Sequence, residues 1–383
     1  MKRIGIITHY YGSLNYGGVL QSYALTAYLN KNGFCAEQIS YPLMAYSDFL
    51  SKDESRIKRI LRNPVKSGYV FLREIFFKNS RKARTLKNRI KAFANLRDSL
   101  TPHSFTVYDH VTVKKCVKEY DIFVTGSDQV WNFAWYNPAF FLDFVPGDKT
   151  KVAYGASVGN SGFSEEEKET VKNSLADFKA VSVREKSSVP IISELTDKTV
   201  HNVIDPTLLL DKEDWDEVCA PRVYGDKYVF CYFLGTNSEA KKCADKFAKE
   251  HNLKTVYIPY VNGERDETGE KCADILAEDV SPEKFISLVR YADYVFTDSF
   301  HAIVFSYLYN KQFFVFHRSE NGEMSERITD FCSLIGAEDR FCKTKSQMTT
   351  EYFNNLLNSP VCESAKINDL KRLSIEFIKG NFV

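Results

Sequence analysis

The stretch Arg3-Ile-Gly-Ile-Ile-Thr-His9-Tyr-Tyr-Gly12-Ser-Leu-Asn15-Tyr-Gly17-Gly18-Val-Leu-Gln-Ser-Tyr-Ala-Leu25 carries the fold in outline. Arg3–His9 is an apolar run of strand length. Gly12, Gly17 and Gly18 mark a turn. Leu20, Ala24, Leu25, Tyr28 and Leu29 then recur at helical spacing, which keeps one face apolar. Asn32-Gly33 is a helix-end signal, and Phe34–Ser40 reads as a second strand. A strand–helix–strand opening predicts a parallel sheet with a ligand crevice at the C-terminal ends of its strands.

The alternation continues outward. Strands are expected at Tyr120–Thr125, Lys151–Ser157, Ala180–Arg184 and Val200–Ile204, with helices after Ser164 and Ser188. A second unit starts near Lys227: strand Tyr228–Gly235, helix Ser238–His251 with Ser238 as its cap, strand Thr255–Pro259 and a polar loop over Asn262–Lys271. Ser281-Pro282 opens a helix, with serine as cap and proline at the first helical position. Strand Tyr294–Asp298, helix His301–Tyr309 and strand Gln312–His317 follow, and the last sixty residues read as helices. Two Rossmann-like halves around a cleft fit this order.

Composition narrows the class. The chain has 383 residues, 44% hydrophobic and 26% charged, a soluble globular balance with room for two domains. No apolar run reaches the length of a membrane span, and the opening Met-Lys-Arg-Ile-Gly-Ile-Ile-Thr is too short for a signal peptide. Nine cysteines without a Cys-x-x-Cys pair read as free, mostly buried thiols of a reducing cytoplasm. The net charge of +1 hides an uneven distribution. Fifteen Lys or Arg stand against three acids from Lys52 to Arg97, so the rest of the chain is acidic. That excludes a uniform nucleic-acid-binding surface and leaves one basic excursion. Its apolar residues (Ile57, Ile60, Leu61, Val70, Phe71, Ile75, Phe76, Leu86, Ile90, Phe93) are interleaved at helical spacing. This is the pattern of a solvated charged face or of an interfacial helix at an anionic membrane.

Four segments place polar residues where a crevice is expected. Asn15, Gly17 and Gly18 open the first helix, where free N–H groups suit an anion; an ordinary tight turn would look the same. The spacing is neither Gly-x-Gly-x-x-Gly nor a Walker sequence. Gly126-Ser127-Asp128-Gln129-Val-Trp-Asn132 follows an apolar strand directly; Asp128 could equally cap the turn. Arg184 ends another strand. Its planar fork matches carboxylate or phosphate, and pairing with Glu185 or Asp205 is the structural alternative. Thr297-Asp298-Ser299-Phe300-His301 puts a histidine at a helix start. The dipole there disfavours the imidazolium and an anionic ligand restores it, which suits a proton donor switched on by binding. No histidine or cysteine spacing fits a metal site.

Taken in order, six segments resemble the polysaccharide pyruvyl transferase family. They are Tyr-Tyr-Gly-x-x-Asn-Tyr-Gly-Gly-x-Leu-Gln-x-Tyr-Ala-Leu at 10–25, Gly-Ser-Asp-Gln-Val-Trp-Asn at 126–132 and Tyr-Gly-Ala-Ser-Val-Gly at 154–159. Ser-Val-Arg-Glu at 182–185, Asp-Pro-Thr-Leu-Leu-Leu at 205–210 and Thr-Asp-Ser-Phe-His-Ala at 297–302 complete the set. The resemblance spans roughly 3–320 and implies an α/β fold of two Rossmann-like domains facing across a cleft, glycosyltransferase-B-like. It implies transfer of the enolpyruvyl carbons of phosphoenolpyruvate to sugar hydroxyls, usually as a ketal, with release of phosphate. The family's arginine and histidine fall on Arg184 and His301. Some members carry Arg-Leu-His where this chain has Ser299-Phe300-His301, so a second arginine is missing. Its role would pass to backbone N–H groups, Ser299 and another cation.

The expected organisation is therefore a first domain over 1–225, on the acceptor side, with the basic excursion at 52–100. A phosphoenolpyruvate-side domain covers 226–320, and helices over 321–383 pack back across both. The scheme assigns catalysis to His301, Arg184 and Asp128, and phosphoenolpyruvate binding to Arg184, Ser299, His301, Asn15, Gly17 and Gly18. Tyr10, Ser127, Asp128, Gln129 and Asp298 would meet the sugar. No metal or cofactor is needed beyond phosphoenolpyruvate as co-substrate. The expected acceptor is a sugar or lipid-linked oligosaccharide, with peripheral contact of Lys52–Arg97 at the inner membrane face and no nucleic acid. A sugar-nucleotide glycosyltransferase using the Phe-Leu-Gly235-Thr-Asn-Ser turn, or a non-catalytic carbohydrate-binding relative, is the competing reading.

Overall fold

Six short apolar runs of the first half pair side by side, all parallel: β1 (Arg3–Ile7), β2 (Cys35–Gln38), β3 (Ile122–Thr125), β4 (Thr150–Ala156), β5 (Ala180–Val183) and β6 (Val200–Asn202). The computed structural model describes residues 2–44, 81–159, 162–261, 264–319, 326–359 and 364–383. The sheet order is β2-β1-β3-β4-β5-β6. The second half adds β7 (Tyr228–Tyr232), β8 (Lys254–Tyr257), the hairpin β9 (Tyr260–Val261) with β10 (Glu264–Arg265), β11 (Ile275–Leu276), β12 (Tyr294–Thr297), β13 (Gln312–Phe316) and β14 (Phe341–Cys342). Its main sheet is ordered β11-β8-β7-β12-β13-β14, again parallel throughout. Strands buried on both faces need no polar alternation, which is why they read as continuous apolar runs. Each sheet reverses its winding once, between β1 and β3 and between β7 and β12. A doubly wound sheet opens its ligand crevice at such reversals.

The first helix, Tyr16–Lys31, joins the halves. Gln21, Ser22 and Thr26 are buried as well as its apolar residues. Its burial therefore extends beyond the single apolar face expected, as it must for a helix packed on two sides. The Tyr16 ring stacks on Phe285 of helix Pro282–Arg290, with centroids 4.7 Å apart, and its hydroxyl donates to the Val280 carbonyl at 3.0 Å. The last helix, Ala365–Asn381, runs onto the first sheet. Its Phe377 ring lies against Tyr154 and His201, and Ser374 Oγ accepts from the Ile204 amide at 2.9 Å.

Several expectations are corrected. The cap of helix Ser238–Glu250 is Asn237, whose side chain accepts from the Ala240 amide, so the register moves by one residue. The stretch read as a polar loop holds the hairpin and helix Glu267–Lys271. Lys241 holds Asp266 there at 2.5 Å, and the Tyr257 hydroxyl donates to the same carboxylate. The last sixty residues contribute a strand, β14, besides helices. Residues 52–80 of the basic excursion lie outside the described residues. Its end forms helix Arg81–Ala94 and a π-helical turn, Asn95–Leu100. Two of its cations, Arg89 and Arg97, are buried rather than presented outward. Arg89 Nη2 donates to the Leu14 carbonyl at 2.9 Å, and its guanidinium lies over the Tyr16 and Phe93 rings. The eight described cysteines are free thiols, and burial raises Cys116 and Cys332 to about 12, which leaves them poor nucleophiles.

Candidate active site

The winding reversal of the first sheet brings the residues after β1 against those after β3. Thr8 Oγ1 donates to the Ser127 carbonyl at 2.5 Å, and Gln21 Nε2 ties Thr8 to the Gly18 carbonyl. Asp128 has φ of 75°, a left-handed conformation uncommon outside glycine. Its carbonyl is fixed by the amides of Val130 and Ser157, at 2.7 and 3.0 Å. This backbone directs the carboxylate towards His9, with Nδ1 3.9 Å from Asp128 Oδ2. A carbon added at Gly18 would lie 3.3 Å from the same oxygen, so the start of the first helix forms one wall. Burial alone would raise the Asp128 pKa, but the charges of His9, Arg184, His301 and Arg327 together hold it below the ordinary carboxylate value. Burial lowers that of His9, with Asp128 opposing. The pair is thus an ionised carboxylate beside an imidazole whose proton affinity burial reduces and the carboxylate restores in part.

Arg184 stands just beyond β5. Its Nε donates to Glu185 Oε1 at 2.9 Å and its Nη1 to Asp205 Oδ2 at 2.7 Å, while the guanidinium lies 4.6 Å from the Phe300 ring centre. Among the described residues, Nη2 is buried without a partner. Asp205 follows β6 and divides its carboxylate. Oδ1 accepts from the Thr207 amide and hydroxyl; Oδ2 faces Arg184 and, at 3.5 Å, His301 Nε2. Burial would raise Asp205, yet His301, Arg184 and the Thr207 hydroxyl outweigh it and hold the group well below the carboxylate range. His301 comes from the other half, in the first turn of helix Phe300–Leu308. The other side of its ring lies on Gly17, where an added carbon would be 2.0 Å from Nδ1. Two helix N-termini, one from each half, therefore meet around one histidine. A cavity of about 210 Å³ lies beside Arg184, walled by Asp205, Phe300 and Arg327 among others, with His301 and the first helix outside its lining.

Arg184, His301, Asp128, Gly17 and Gly18 are brought together. Ser299 caps the His301 helix without a side-chain capping bond, and Ser127 Oγ is buried without a partner. Asn15 is exposed and spends its Oδ1 on the Gly18 amide at 3.3 Å. Gln129 is half-buried, its amide nitrogen 2.9 Å from where a carbon on Gly159 would sit. Two residues expected to meet the sugar do other work. The Tyr10 hydroxyl donates to the Arg97 carbonyl and the residue is sealed. Asp298 is fully buried and accepts from the Leu234 and Gly235 amides, at 2.6 and 2.8 Å, bracing the glycine turn after β7. His9 is not singled out by the sequence reading, and Asp205 enters it only as a pairing partner of Arg184, a pairing that the structure shows together with that to Glu185. His9 follows β1 directly, a usable signal, whereas Asp205 before Pro206 looks like a turn residue. Among the described residues no cluster of His, Cys, Asp and Glu could hold a metal ion.

The family model for polysaccharide pyruvyl transferase matches residues 15–320. The chain belongs to this family. Arg184, Asp205 and His301 all lie within the matched span, and Arg327 lies beyond it. Membership makes this pyruvyl transferase relative a transferase acting in polysaccharide pyruvyl transfer, with a sugar or polysaccharide acceptor. Among curated proteins none matches in sequence. Solved structures do. A protein of Listeria monocytogenes described as a putative UDP-N-acetylglucosamine 2-epimerase has a TM-score of 0.54 at 11% identity, covering 99% of this chain and 96% of that one. The UDP-GlcNAc 2-epimerase of Neisseria meningitidis bound to UDP-GlcNAc has 0.53 at 10%, covering 100% of each. At such identities the likeness is one of fold: two Rossmann-like domains facing across a cleft, glycosyltransferase-B-like.

Proposed function

We propose that the chain transfers the enolpyruvyl carbons of phosphoenolpyruvate to a pair of sugar hydroxyls on a surface-polysaccharide precursor, forming a pyruvate ketal and releasing phosphate. The observation that carries this reading is the meeting of Arg184 Nη1 and His301 Nε2, from opposite halves, on Asp205 Oδ2 at 2.7 and 3.5 Å. The Asp205 carboxylate thereby faces both an anion-binding arginine and a proton donor. The substrate's charge settles on Arg184 Nη2 and the two helix N-termini. His301 gives a proton to the methylene carbon, which becomes a methyl group and leaves the central carbon electron-poor. A sugar hydroxyl adds there. Asp128 orients it, and the His9 ring takes its proton. The bond from the central carbon to the phosphate oxygen then breaks, with the electron pair leaving on phosphate. The second hydroxyl adds in its place and closes the ketal, its proton restoring His301, while the departing phosphate takes the proton held on His9.

The glycine turn after β7 supports this over sugar-nucleotide transfer. A diphosphate there would need amides that Asp298 already occupies. The reading includes peripheral docking of the basic excursion at an anionic membrane, where lipid-linked acceptors reside. The test is phosphate release from phosphoenolpyruvate with oligosaccharide acceptors, read together with an acceptor mass gain. His301→Ala should lower turnover by roughly 10²–10⁴. Turnover of a sugar nucleotide with no phosphate released from phosphoenolpyruvate would replace the reading with the glycosyltransferase one.

A further inference from the structure

Arg184 cannot hold a two-headed anion alone. Two edges of its fork are committed, Nε to Glu185 and Nη1 to Asp205, which leaves Nη2. A forked, two-point grip on a carboxylate or phosphate needs a pair of nitrogens, so a second acid group must be met elsewhere. The helix that opens at Ser299 offers no arginine. The cavity beside Arg184 does: Arg327, near the start of helix Glu326–Leu334, forms part of its wall. We propose that Arg327 is the second guanidinium of the anion site, gripping one acid group of the substrate while Arg184 holds the other.

Three further observations bear on this. The position of Arg327 relative to Arg184 is fixed, because Asp330, one turn along the same helix, accepts from the Ser187 amide and hydroxyl at 2.9 and 2.8 Å. Ser187 lies three residues beyond Arg184, so the helix is latched to the loop that carries the first guanidinium. The side chain is half-buried, open to the cavity rather than sealed. Two other guanidinium groups, Arg318 and Arg184, also crowd its charge. Burial, with Arg318 and Arg184 nearby, lowers the Arg327 pKa to about 10 against the opposing pull of Asp128 and Glu185. A bound dianion relieves that repulsion. The cavity, about 210 Å³, is below the ~300 Å³ at which drug-sized sites begin, so it suits a small anion. Arg327 lies outside the span matched by the family model, so this device belongs to the chain's own C-terminal part.

The inference rests on the phosphoenolpyruvate reading, and two ligands separate their fates. Calorimetric titration of the full chain with phosphoenolpyruvate, and separately with inorganic phosphate, is compared across wild type, Arg327→Gln and Arg327→Lys. Arg327→Gln should weaken both ligands at least tenfold. Arg327→Lys keeps the charge but loses the fork, and should fall between. Equal affinity of wild type and Arg327→Lys for both ligands overturns the proposal, even if the glutamine variant fails to fold; so does unchanged affinity in a folded Arg327→Gln. If wild type binds phosphate but not phosphoenolpyruvate, and Arg327→Gln loses phosphate, the anion site stands and the pyruvyl-transfer reading falls.

Discussion

A side-chain carbon at position 17 would sit 2.0 Å from Nδ1 of His301, a distance no packed atom pair tolerates. Glycine is required there because a ring from the other half rests on the helix backbone. The clash reaches Cγ, 2.7 Å away at the root of a buried ring, so the ring and the helix backbone must part. Gly17→Ala should therefore lower the melting midpoint and lower turnover to within about tenfold of His301→Ala, as expected when a general acid is displaced. In the His301→Ala background the same change should cost no further activity and should raise stability. A double-mutant cycle measures this; additive losses in turnover would show that Gly17 acts apart from His301.

Helix Ala365–Asn381 follows the second half in sequence but packs on the first sheet. Phe377 is buried against Tyr154 and His201, and Phe382 lies near Tyr154 and Phe34. Truncating a buried phenylalanine costs about 3–5 kcal/mol. Phe377→Ala should destabilise the protein by that order, and hydrogen exchange should quicken in β4 and β6. Faster exchange confined to the strands around β7 would contradict this placement. Such contacts mark the limit of what is legible in sequence. The long apolar runs, such as Tyr228–Tyr232, and the capped helix starts at Ser164 and Ser281 are local signals and lie where they were read. The two-residue strands β11 and β14 are too short for any periodicity, and pairing with a neighbour alone makes them strands. The site divides the same way. Arg184, Asp128 and His301 follow apolar strands, where a crevice is expected. Asp205 is legible as a pairing partner of Arg184, but it carries a turn signature, and only the fold reveals that the same oxygen also faces His301. Asp298 stands at an equally suggestive strand end, but the amides of Leu234 and Gly235 claim it. Arg327 has no local signature, since its proximity to Arg184 depends on the latch from Asp330 to Ser187.

The whole molecule is electrically lopsided: fifteen cations and three acids between Lys52 and Arg97, on a chain of net charge +1. Arg89 and Arg97 are turned inward and are lost to any surface role. Each cation that reaches an anionic leaflet contributes about 1 kcal/mol, so a handful of those remaining is sufficient for reversible docking. The excursion is also tied to the cleft. Arg89 holds the turn before the first helix through the Leu14 carbonyl, and Asn95 Nδ2 donates to Glu283 Oε1 of the second half at 2.8 Å. Docking by this segment would hold both walls of the crevice near the surface, where a lipid-linked acceptor is presented. Among the described residues no helix is long and apolar enough to cross a membrane; the attachment that the basic charge would give is electrostatic. Screening then sets its signature, because the Debye length shrinks from about 30 Å at 0.01 M salt to about 10 Å at 0.1 M. Vesicle sedimentation should show binding to anionic vesicles at low salt, release as salt rises, and little binding to neutral vesicles. Replacing the lysines and arginines of 52–82 with glutamine should abolish binding while leaving phosphate release from a water-soluble acceptor unchanged. Equal partitioning to both lipid types, or none to either, would leave the excursion as solvated surface.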